Sequence, residues 1–459
     1  MAGRKIVLIG AGSAVFTRGL LADLILSPEL GPWEVGLVDP DPLALGTAEG
    51  LSRKMVAARD APITIHASTD RRDLLPGADV VVLTVGVGGR RAWEVDVEVS
   101  RRHGVYQPVG DSVLPGGISR AMRTIPVLVE IAQDVRELCP AALFFNYSNP
   151  MTSNCAAIRK ATGLEVIGLC HGVFNVEREL AAYIGAPHSE VTSLYAGLNH
   201  LTFIFDLRWN GQDAWPIVRE HLERDRRDLG GSRGLGQTFG DMSHSGDNPF
   251  SWSLFEAYGA YPSANDRHVV EFFPERFPGG AYHGLTLGVD AFSLREIIAW
   301  GDERYAAMRA QALGEAPLDT AIFNRTVGEH EQLVSIVRSM AHDQRRVFSV
   351  NVPNQGTVPN LPPEAILEVP AVATASGLRP MQLPDFSDLL AGVIRRKLTA
   401  VDLTVEAALT GNRRLMVEAL LADGAVAQPA TAWQLADDLL QAQRQYLPHF
   451  FPAKQEATA

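Results

Sequence analysis

The chain is poor in cysteine, in long apolar runs and in excess positive charge. Its 459 residues include only three cysteines, too few and too scattered for a disulfide framework, which favours a reducing, cytoplasmic location. The apolar run over residues 6–9 is too short for a membrane span or a signal-peptide core, so no membrane partner is expected. A net charge of -12 argues against a nucleic-acid partner.

The length allows two domains or one large α/β body. The first part alternates apolar, strand-like runs with helical patterns, which predicts a mostly parallel, right-handed wound sheet. We therefore expect an α/β protein with a Rossmann-type doubly wound parallel sheet over residues 1–195 and a second, mixed α+β substrate and oligomerisation domain over residues 196–459. In that second part the expected elements are a strand over 201–209, a glycine-rich loop over 225–248 and helices over 294–313, 326–340 and 398–421.

Near the amino terminus, a strand leads into a glycine turn. Gly10 and Gly12 follow an apolar run, and Ser13 comes next. In a Rossmann unit the first glycine permits the tight turn and the second lets the backbone approach a pyrophosphate, although Val15 replaces the third glycine. Asp39 ends the second predicted strand, where an acid grips the adenosine ribose and favours NAD over NADP. The alternative for Asp39 is a turn or helix-cap acid.

Two further apolar runs end in polar turns that can face the same cofactor. Thr84 and Gly86 close the first run, and the loop over residues 86–91 either lies over the cofactor or is a basic surface loop. Asn146 closes the second run. Asn149 is held extended by the proline that follows it, and its amide can bond a sugar hydroxyl or a nicotinamide, or simply form a turn.

Another apolar run ends in Cys170 and His171, and a second imidazole, His200, follows further along the chain. A cysteine thiolate with a histidine nitrogen suits a divalent transition metal. The alternatives are a small buried cysteine and a hydrogen-bonded histidine without a metal.

Taken together, these stretches resemble glycoside hydrolase family 4 over nearly the whole chain. The resemblance implies tightly bound NAD, a divalent ion, usually manganese, and a redox-assisted elimination. Hydride passes from C3 of the sugar to NAD, a base removes the acidified C2 proton, the C1 oxygen leaves, water adds and hydride returns. The motifs that carry the resemblance are residues 10–13, Gly110-Asp111, residues 115–118 with Arg120, residues 146–151, 170–172 and 197–200.

The resemblance also implies residue roles. Cys170 and His200 match the metal ligands, and Asn149 matches an amide close to the substrate and the metal. His171 stands where it could protonate the leaving oxygen or bind a hydroxyl. The C2 base is expected to be Asp266, with Tyr258 or Tyr261 as alternatives. Asp266 could equally be a structural carboxylate paired with Arg267 or Arg120.

Gly172 sets the expected substrate. Members with Cys-His-Gly resemble α-glucuronidases and α-galacturonidases, whereas Cys-His-Ser goes with α-galactosidases. A uronic acid needs a cationic or amide cradle for its C5 carboxylate, and arginine provides a matching fork. The candidate substrate-binding residues are Arg90, Arg91, Arg120, Arg267, Asn149 and Asn199.

The sequence leaves three other functions open. The first is an α-galactosidase or α-glucosidase of the same family. The second is a malate- or lactate-type NAD-dependent dehydrogenase, because the Rossmann half and the Asn-Pro turn fit both classes. The third is an NAD-binding sensor whose second domain is a partner surface. Family analogy further implies a homodimer or homotetramer.

Overall fold

The structure is a computed structural model that describes residues 4–13, 16–228, 248–324 and 331–451. Most of its strands join one sheet of thirteen strands. The strands are β1 Arg4–Ile9, β2 Trp33–Val38, β3 Ile63–Ser68, β4 Val80–Leu83, β5 Leu143–Asn146, β6 Ile167–Gly168, β7 Val191–Leu198, β8 Leu201–Trp209, β9 Gln212–Asp213, β10 Tyr261–Pro262, β11 Ala281–Tyr282, β12 Leu285–Thr286, β13 Arg346–Pro353, β14 Ile366–Thr374 and β15 Gly377–Pro380.

Helices connect and cover these strands. They are α1 Phe16–Ile25, α2 Pro42–Arg59, α3 Gly89–Arg102, α4 Leu114–Leu138, α5 Met151–Thr162, α6 Gly172–Tyr183, α7 Trp215–Asp228, α8 Pro249–Tyr258, α9 Asn265–Val269, α10 Leu294–Leu313, α11 Glu331–Ala341, α12 Asp388–Thr410, α13 Arg413–Asp423 and α14 Pro429–Ala442.

The amino-terminal strands form the expected doubly wound sheet. They lie in the order β3-β2-β1-β4-β5-β6, and every pair is parallel. The side chains of β1 alternate between two cores: Ile6 and Leu8 pack with residues of α1 and α2, whereas Val7 and Ile9 pack with residues of α4 and α5. Helices therefore cover both faces, and the carboxyl ends of six parallel strands meet at one edge, where such folds bind ligands.

The second half of the chain extends the same sheet with antiparallel strands. β13 pairs with β6, and β14, β7, β8 and β10 follow in that order. The expected mixed α+β character is therefore present. The predicted boundary at residue 195 falls inside β7, and the division into two domains stays a prediction.

Several predicted elements match the structure and one does not. The strand predicted over 201–209 is β8, and the helix predicted over 294–313 is α10. The helix predicted over 398–421 is wrong, because Gly411 adopts a φ of 66° and ends α12, and α13 then begins. The loop predicted over 225–248 is only partly described: residues 225–228 belong to α7, and residues 229–247 lie outside the described residues. The helix predicted over 326–340 is mostly covered by α11, and residues 325–330 lie outside the described residues.

No helix within the described ranges has both the length and the apolar character of a membrane span.

A buried ion pair joins α3 to α4 beneath the loop that follows β4. The Arg123 guanidinium donates to both oxygens of Asp96, at 3.0 and 2.6 Å, and each residue is at most 1% exposed. Gln443 donates to the same carboxylate at 2.7 Å, and the Arg123 Nε donates to the Val87 carbonyl at 2.9 Å. The ion pair therefore connects α3 and α4 to the carboxyl-terminal segment, through Gln443, and to the loop after β4, through Val87.

Replacement of Arg123 should be strongly destabilising. Arg123→Met leaves the Asp96 carboxylate buried without a cation, which should cost about 3–5 kcal/mol of unfolding free energy. The control is Arg53→Met, which breaks an exposed pair with Glu49 and should change stability by less than about 1 kcal/mol. Urea unfolding measures both values. Equal small losses would contradict the importance of the buried pair.

Candidate active site

The turn after β1 leaves no room for a Cβ atom at its two glycines. Gly10 adopts a φ of +91°, and a Cβ on it would lie 2.7 Å from the Thr84 carbonyl oxygen. A Cβ on Gly12 would lie 2.6 Å from the Ala44 Cβ, and the Gly12 N–H donates to Asp39 Oδ2 at 2.8 Å. This cradle of backbone at the end of β1, with a carboxylate at the end of β2, fits a dinucleotide.

The neighbouring residues predicted for the cofactor also lie at this edge. Ser13 Oγ accepts a hydrogen bond from the Phe16 N–H at 3.3 Å, which caps the start of α1. The Thr84 hydroxyl donates to the Gly10 carbonyl at 2.9 Å and so fixes the turn. Gly86 faces Arg120, since a Cβ there would stand 4.0 Å from an Arg120 Nη atom.

Asn146, predicted to bind the cofactor, forms hydrogen bonds within the turn after β5. Its side chain is fully buried; Nδ2 donates to the Ser148 carbonyl at 3.0 Å, and Oδ1 accepts from the Ser148 N–H at 3.0 Å. These bonds occupy the side-chain amide, and contact of Asn146 with the cofactor stays a prediction. It builds the turn that presents Asn149.

One carboxylate and two imidazoles converge at the same edge of the sheet. Asp111, His200 and His268 each offer a ligand atom, and these atoms lie within 4.8 Å of one another. Asp111 comes from the loop before α4, His200 from the turn between β7 and β8, and His268 from α9. Asn149 reaches the group from the end of β5, and its Nδ2 donates to Asp111 Oδ2 at 2.8 Å.

The hydrogen bonds leave lone pairs facing this group. The Ser112 hydroxyl donates to Asp111 Oδ1 at 2.8 Å, so His200 Nδ1, 2.8 Å from the same hydroxyl oxygen, acts as donor. That tautomer, assigned from the hydrogen-bond network, leaves the lone pair of His200 on Nε2. Within the described residues, His268 Nδ1 and Asn149 Oδ1 are buried and have no hydrogen-bond partner.

The electrostatics hold these groups in the forms that bind a cation. Burial alone would raise the pKa of Asp111, but His200, His268 and Arg120 outweigh it and lower the pKa to about 2. Burial lowers the pKa of His200 to about 4, and burial together with the neighbouring His200 places the pKa of His268 well below its ordinary value. At neutral pH the group is one carboxylate with two neutral imidazoles, a donor set that fits a divalent metal.

Cys170 lies beside this group and is not a member of it. Its Sγ accepts a hydrogen bond from the Gly172 N–H at 3.4 Å. Burial, followed by the nearby charges of Glu368 and Asp111, raises the pKa of the thiol to about 12. A bound cation would reverse that shift. The sequence-based pairing of Cys170 with His200 as ligands stays a prediction.

Two arginines flank the Asp111 carboxylate. Arg120 Nε donates to the Asn149 carbonyl at 3.1 Å, and the charge of Asp111 acts on both Arg120 and Arg267. Burial lowers the pKa of each guanidinium. Such desolvated guanidinium groups gain most from a carboxylate partner.

Two other predicted residues border the group. His171 immediately precedes α6, is partly exposed, and lies close enough to His200 and His268 to lower the pKa of both. Asn199 is 3% exposed and lies beside the Cys170 thiol and the Glu368 carboxylate. A role for either in binding substrate stays a prediction.

Asp266, the expected C2 base, is held by hydrogen bonds, and its role as that base stays a prediction. Its side chain is fully buried, and both carboxylate oxygens accept hydrogen bonds. The donors are the N–H groups of Phe250 and Ser251, at 2.8 and 2.7 Å, and the hydroxyls of Ser251 and Tyr282, each at 2.6 Å. Burial nevertheless raises the pKa of Asp266. The carboxylate caps the start of α8.

The two tyrosines predicted as alternative bases lie in apolar surroundings. Tyr261 is 1% exposed, and its ring packs against Trp252 with centroids 4.7 Å apart. Tyr258 is partly buried, and its ring meets Phe203 edge-on at 6.1 Å. A role for either tyrosine as the C2 base stays a prediction.

Arg91, predicted to bind substrate, forms an ion pair at the surface, and a substrate-binding role for it stays a prediction. The loop predicted over residues 86–91 ends at Gly88, and α3 places Arg90 and Arg91 in its first turn. Both guanidinium groups pair with Asp302 on α10, and the Arg91 side chain is 63% exposed. The two arginines therefore join helices at the surface.

Sequence reasoning did not assign a role to Asp111, Ser112 or His268. The signals were present in part, because Asp111 follows a glycine in a segment without regular structure and His268 belongs to a dense polar turn. No local pattern indicated that a loop before α4 and a helix in the second half would meet.

The fold and this group together define a dinucleotide-binding protein with a metal-binding group at the carboxyl edge of its parallel strands. The family 4 glycosyl hydrolase model matches residues 5–186, and the model of the family 4 glycosyl hydrolase C-terminal domain matches residues 195–426. The chain belongs to family 4 of the glycosyl hydrolases.

Named relatives differ in substrate. The chain is 32% identical to an alpha-galacturonidase of Bacillus subtilis (strain 168), over 95% of this chain and 97% of the relative. It is 31% identical to an alpha-glucosidase of Erwinia rhapontici, over 96% and 98%. A solved 6-phospho-alpha-glucosidase from gut microorganisms, in complex with NAD and Mn²⁺, shares the fold with a TM-score of 0.83 at 17% identity, over 97% and 99% of the two chains.

His268 should contribute to metal affinity. We expect His268→Ala to weaken Mn²⁺ binding at least about tenfold, since loss of a ligand bond should exceed ~1.4 kcal/mol. Cys170→Ala should abolish activity even with manganese present. Electron paramagnetic resonance of free Mn²⁺ measures the affinity. His103→Ala, which removes an imidazole paired with Asp438 at 2.8 Å, is the control and should bind Mn²⁺ normally. Wild-type affinity in His268→Ala would remove that residue from the site.

Proposed function

We propose that this chain is an NAD- and divalent-metal-dependent glycosidase that cleaves α-linked hexuronides, either α-glucuronides or α-galacturonides. The observation that carries the proposal is the convergence of Asp111, His200 and His268 between two desolvated arginines at the dinucleotide edge. When bound, NAD supplies a hydride acceptor for C3 of the sugar, and the ion, which we take to be manganese, supplies Lewis acidity at the neighbouring oxygens. The family resemblance and the NAD and Mn²⁺ of the solved 6-phospho-alpha-glucosidase support both cofactors.

The chain's own residues have distinct tasks in this proposal. Asp111, His200 and His268 hold the ion, and Cys170 is a further ligand in its thiolate form. The buried Asn149 Oδ1, which has no hydrogen-bond partner among the described residues, accepts a hydrogen bond from a sugar hydroxyl. His171 borders the metal-binding group without belonging to it, and we assign it the proton given to the leaving C1 oxygen.

The charge balance supports a negatively charged substrate. Arg120 and Arg267 bring two positive charges to Asp111. Glu271 is a nearby acid that also acts on Arg267, and burial raises its pKa to about 8, which suppresses its charge near neutral pH. The bound ion adds further positive charge. A substrate carboxylate would therefore be attracted, and the identity to the Bacillus subtilis alpha-galacturonidase agrees with this.

A homodimer or homotetramer and a cytoplasmic location remain part of the proposal. The first rests on family analogy and the second on the low cysteine content.

A panel of nitrophenyl α-glycosides tests the substrate. With NAD, Mn²⁺ and a reductant present, kcat/KM for the glucuronide or galacturonide should exceed that for the glucoside and galactoside at least about tenfold, the effect of one charged hydrogen bond. Arg120→Gln and Arg267→Gln should erase this preference, whereas Arg91→Gln, a surface control, should keep it. A preference for a neutral sugar would refute the uronide proposal and leave the glycosidase assignment intact.

Isotope exchange tests the elimination. Turnover in deuterated water should place deuterium at C2 of the product, because the C2 proton is removed and returned from solvent. A simple dehydrogenase would instead accumulate NADH, seen by its absorbance, and would cleave no glycoside. Cleavage without deuterium at C2 would rule out the elimination.

A further inference from the structure

The loop over residues 107–113 supplies two groups to the metal site and has no helix or strand of its own. Asp111 provides a carboxylate, and Ser112 fixes the His200 ring. The loop is held at its far end by Asp423, which accepts the Leu114 N–H at 3.2 Å. Gln107 spans its base, with Nε2 donating to the Val113 carbonyl at 3.2 Å.

Glu271 holds the middle of this loop. A single oxygen, Oε1, accepts the N–H groups of both Val109 and Gly110, each at 2.8 Å. The Glu271 side chain is 2% exposed, so water cannot replace these bonds. The two donors directly precede Asp111. Loss of this acceptor would leave two buried N–H groups unpaired, which is unfavourable.

The same glutamate belongs to the segment that supplies the other ligand. Glu271 lies in the short helical turn Val270–Phe272, which continues directly from α9, and α9 carries Arg267 and His268. The Glu271 side chain therefore joins the two parts of the chain from which Asp111 and His268 converge. On the opposite side, the loop is confined by Val97, because a Cβ on Gly110 would lie 2.6 Å from its Cγ2.

We propose that Glu271 is a positioning residue that sets the separation of Asp111 and His268 and thereby the affinity of the site for its metal ion. This inference rests on the metal site proposed above. The proposed positioning role depends on the acceptor oxygen of Glu271, because two N–H groups of the loop donate to that one atom. A glutamine retains such an oxygen and a similar volume, whereas alanine removes it and aspartate shortens the reach.

The test measures metal affinity, independent of turnover. Mn²⁺ is titrated into the full-length wild-type chain and the variants Glu271→Gln, Glu271→Ala and Glu271→Asp, with free Mn²⁺ followed by electron paramagnetic resonance and NAD affinity by calorimetry. Glu271→Gln should bind Mn²⁺ within about threefold of wild type, and Glu271→Ala and Glu271→Asp at least about tenfold more weakly. NAD affinity should stay within about twofold in all of them.

A control separates lost stability from a displaced loop. Asp134 is 8% exposed and binds Arg71 and Arg72 on another part of the molecule. Asp134→Ala should lower the melting temperature and leave Mn²⁺ affinity unchanged. If Glu271→Ala fails to fold, Glu271→Asp, which keeps the carboxyl group, carries the test.

The outcomes separate this inference from the proposed function. No Mn²⁺ binding by the wild type would refute the metal site itself. Normal binding by the wild type together with wild-type affinity in Glu271→Ala or Glu271→Asp would overturn the positioning role. Equal weakening in Glu271→Gln and Glu271→Ala would also overturn it, since the glutamine keeps the acceptor oxygen.

Discussion

The site depends on one carboxylate held against two neutral imidazoles where water has little access. Asp111 stays ionised there because the Arg120 charge and the Ser112 hydrogen bond, which do not depend on imidazole protonation, act against the penalty of burial. The imidazoles stay neutral because burial opposes their protonation. Among the described residues, the buried His268 Nδ1 has no hydrogen-bond partner, which is an unfavourable state for a polar atom in a folded protein. The group is therefore built to receive a positive charge.

The sheet explains why the ion and the dinucleotide are neighbours. Gly10, Asp39 and Thr84 stand at the ends of parallel strands, and Asn149 stands at the end of the next one. The antiparallel strands β7 and β8 extend the same sheet and bring His200 to that edge. A single continuous sheet thus carries the residues predicted to bind the dinucleotide and those of the metal-binding group, even though they are far apart in the chain.

Local patterns predicted the elements well where the pattern and the packing agree. The apolar run of β8 and the helical period of α10 were read with the correct ends. Gly411 shows where this fails, because a helical period continues across a residue whose left-handed backbone ends the helix. The glycine turn after β1 was predicted because close approach of backbones demands glycine, a constraint visible in the sequence itself.

The site was only partly predictable, because side-chain direction depends on packing. Asp266 and His268 are two residues apart, yet Asp266 caps α8 and His268 faces the metal-binding group. The sequence reveals their chemistry and not their orientation. Nor does the sequence reveal that Asn146 forms hydrogen bonds within a turn or that Arg91 pairs with Asp302 at the surface.

The most direct measurement is anomalous diffraction at the manganese edge from crystals grown with NAD and Mn²⁺. The account predicts a peak within about 2.5 Å of an Asp111 carboxylate oxygen and of one imidazole nitrogen each from His200 and His268. A manganese peak that contacts neither Asp111 nor His268, or crystals that contain NAD and show no manganese at this edge, would contradict it.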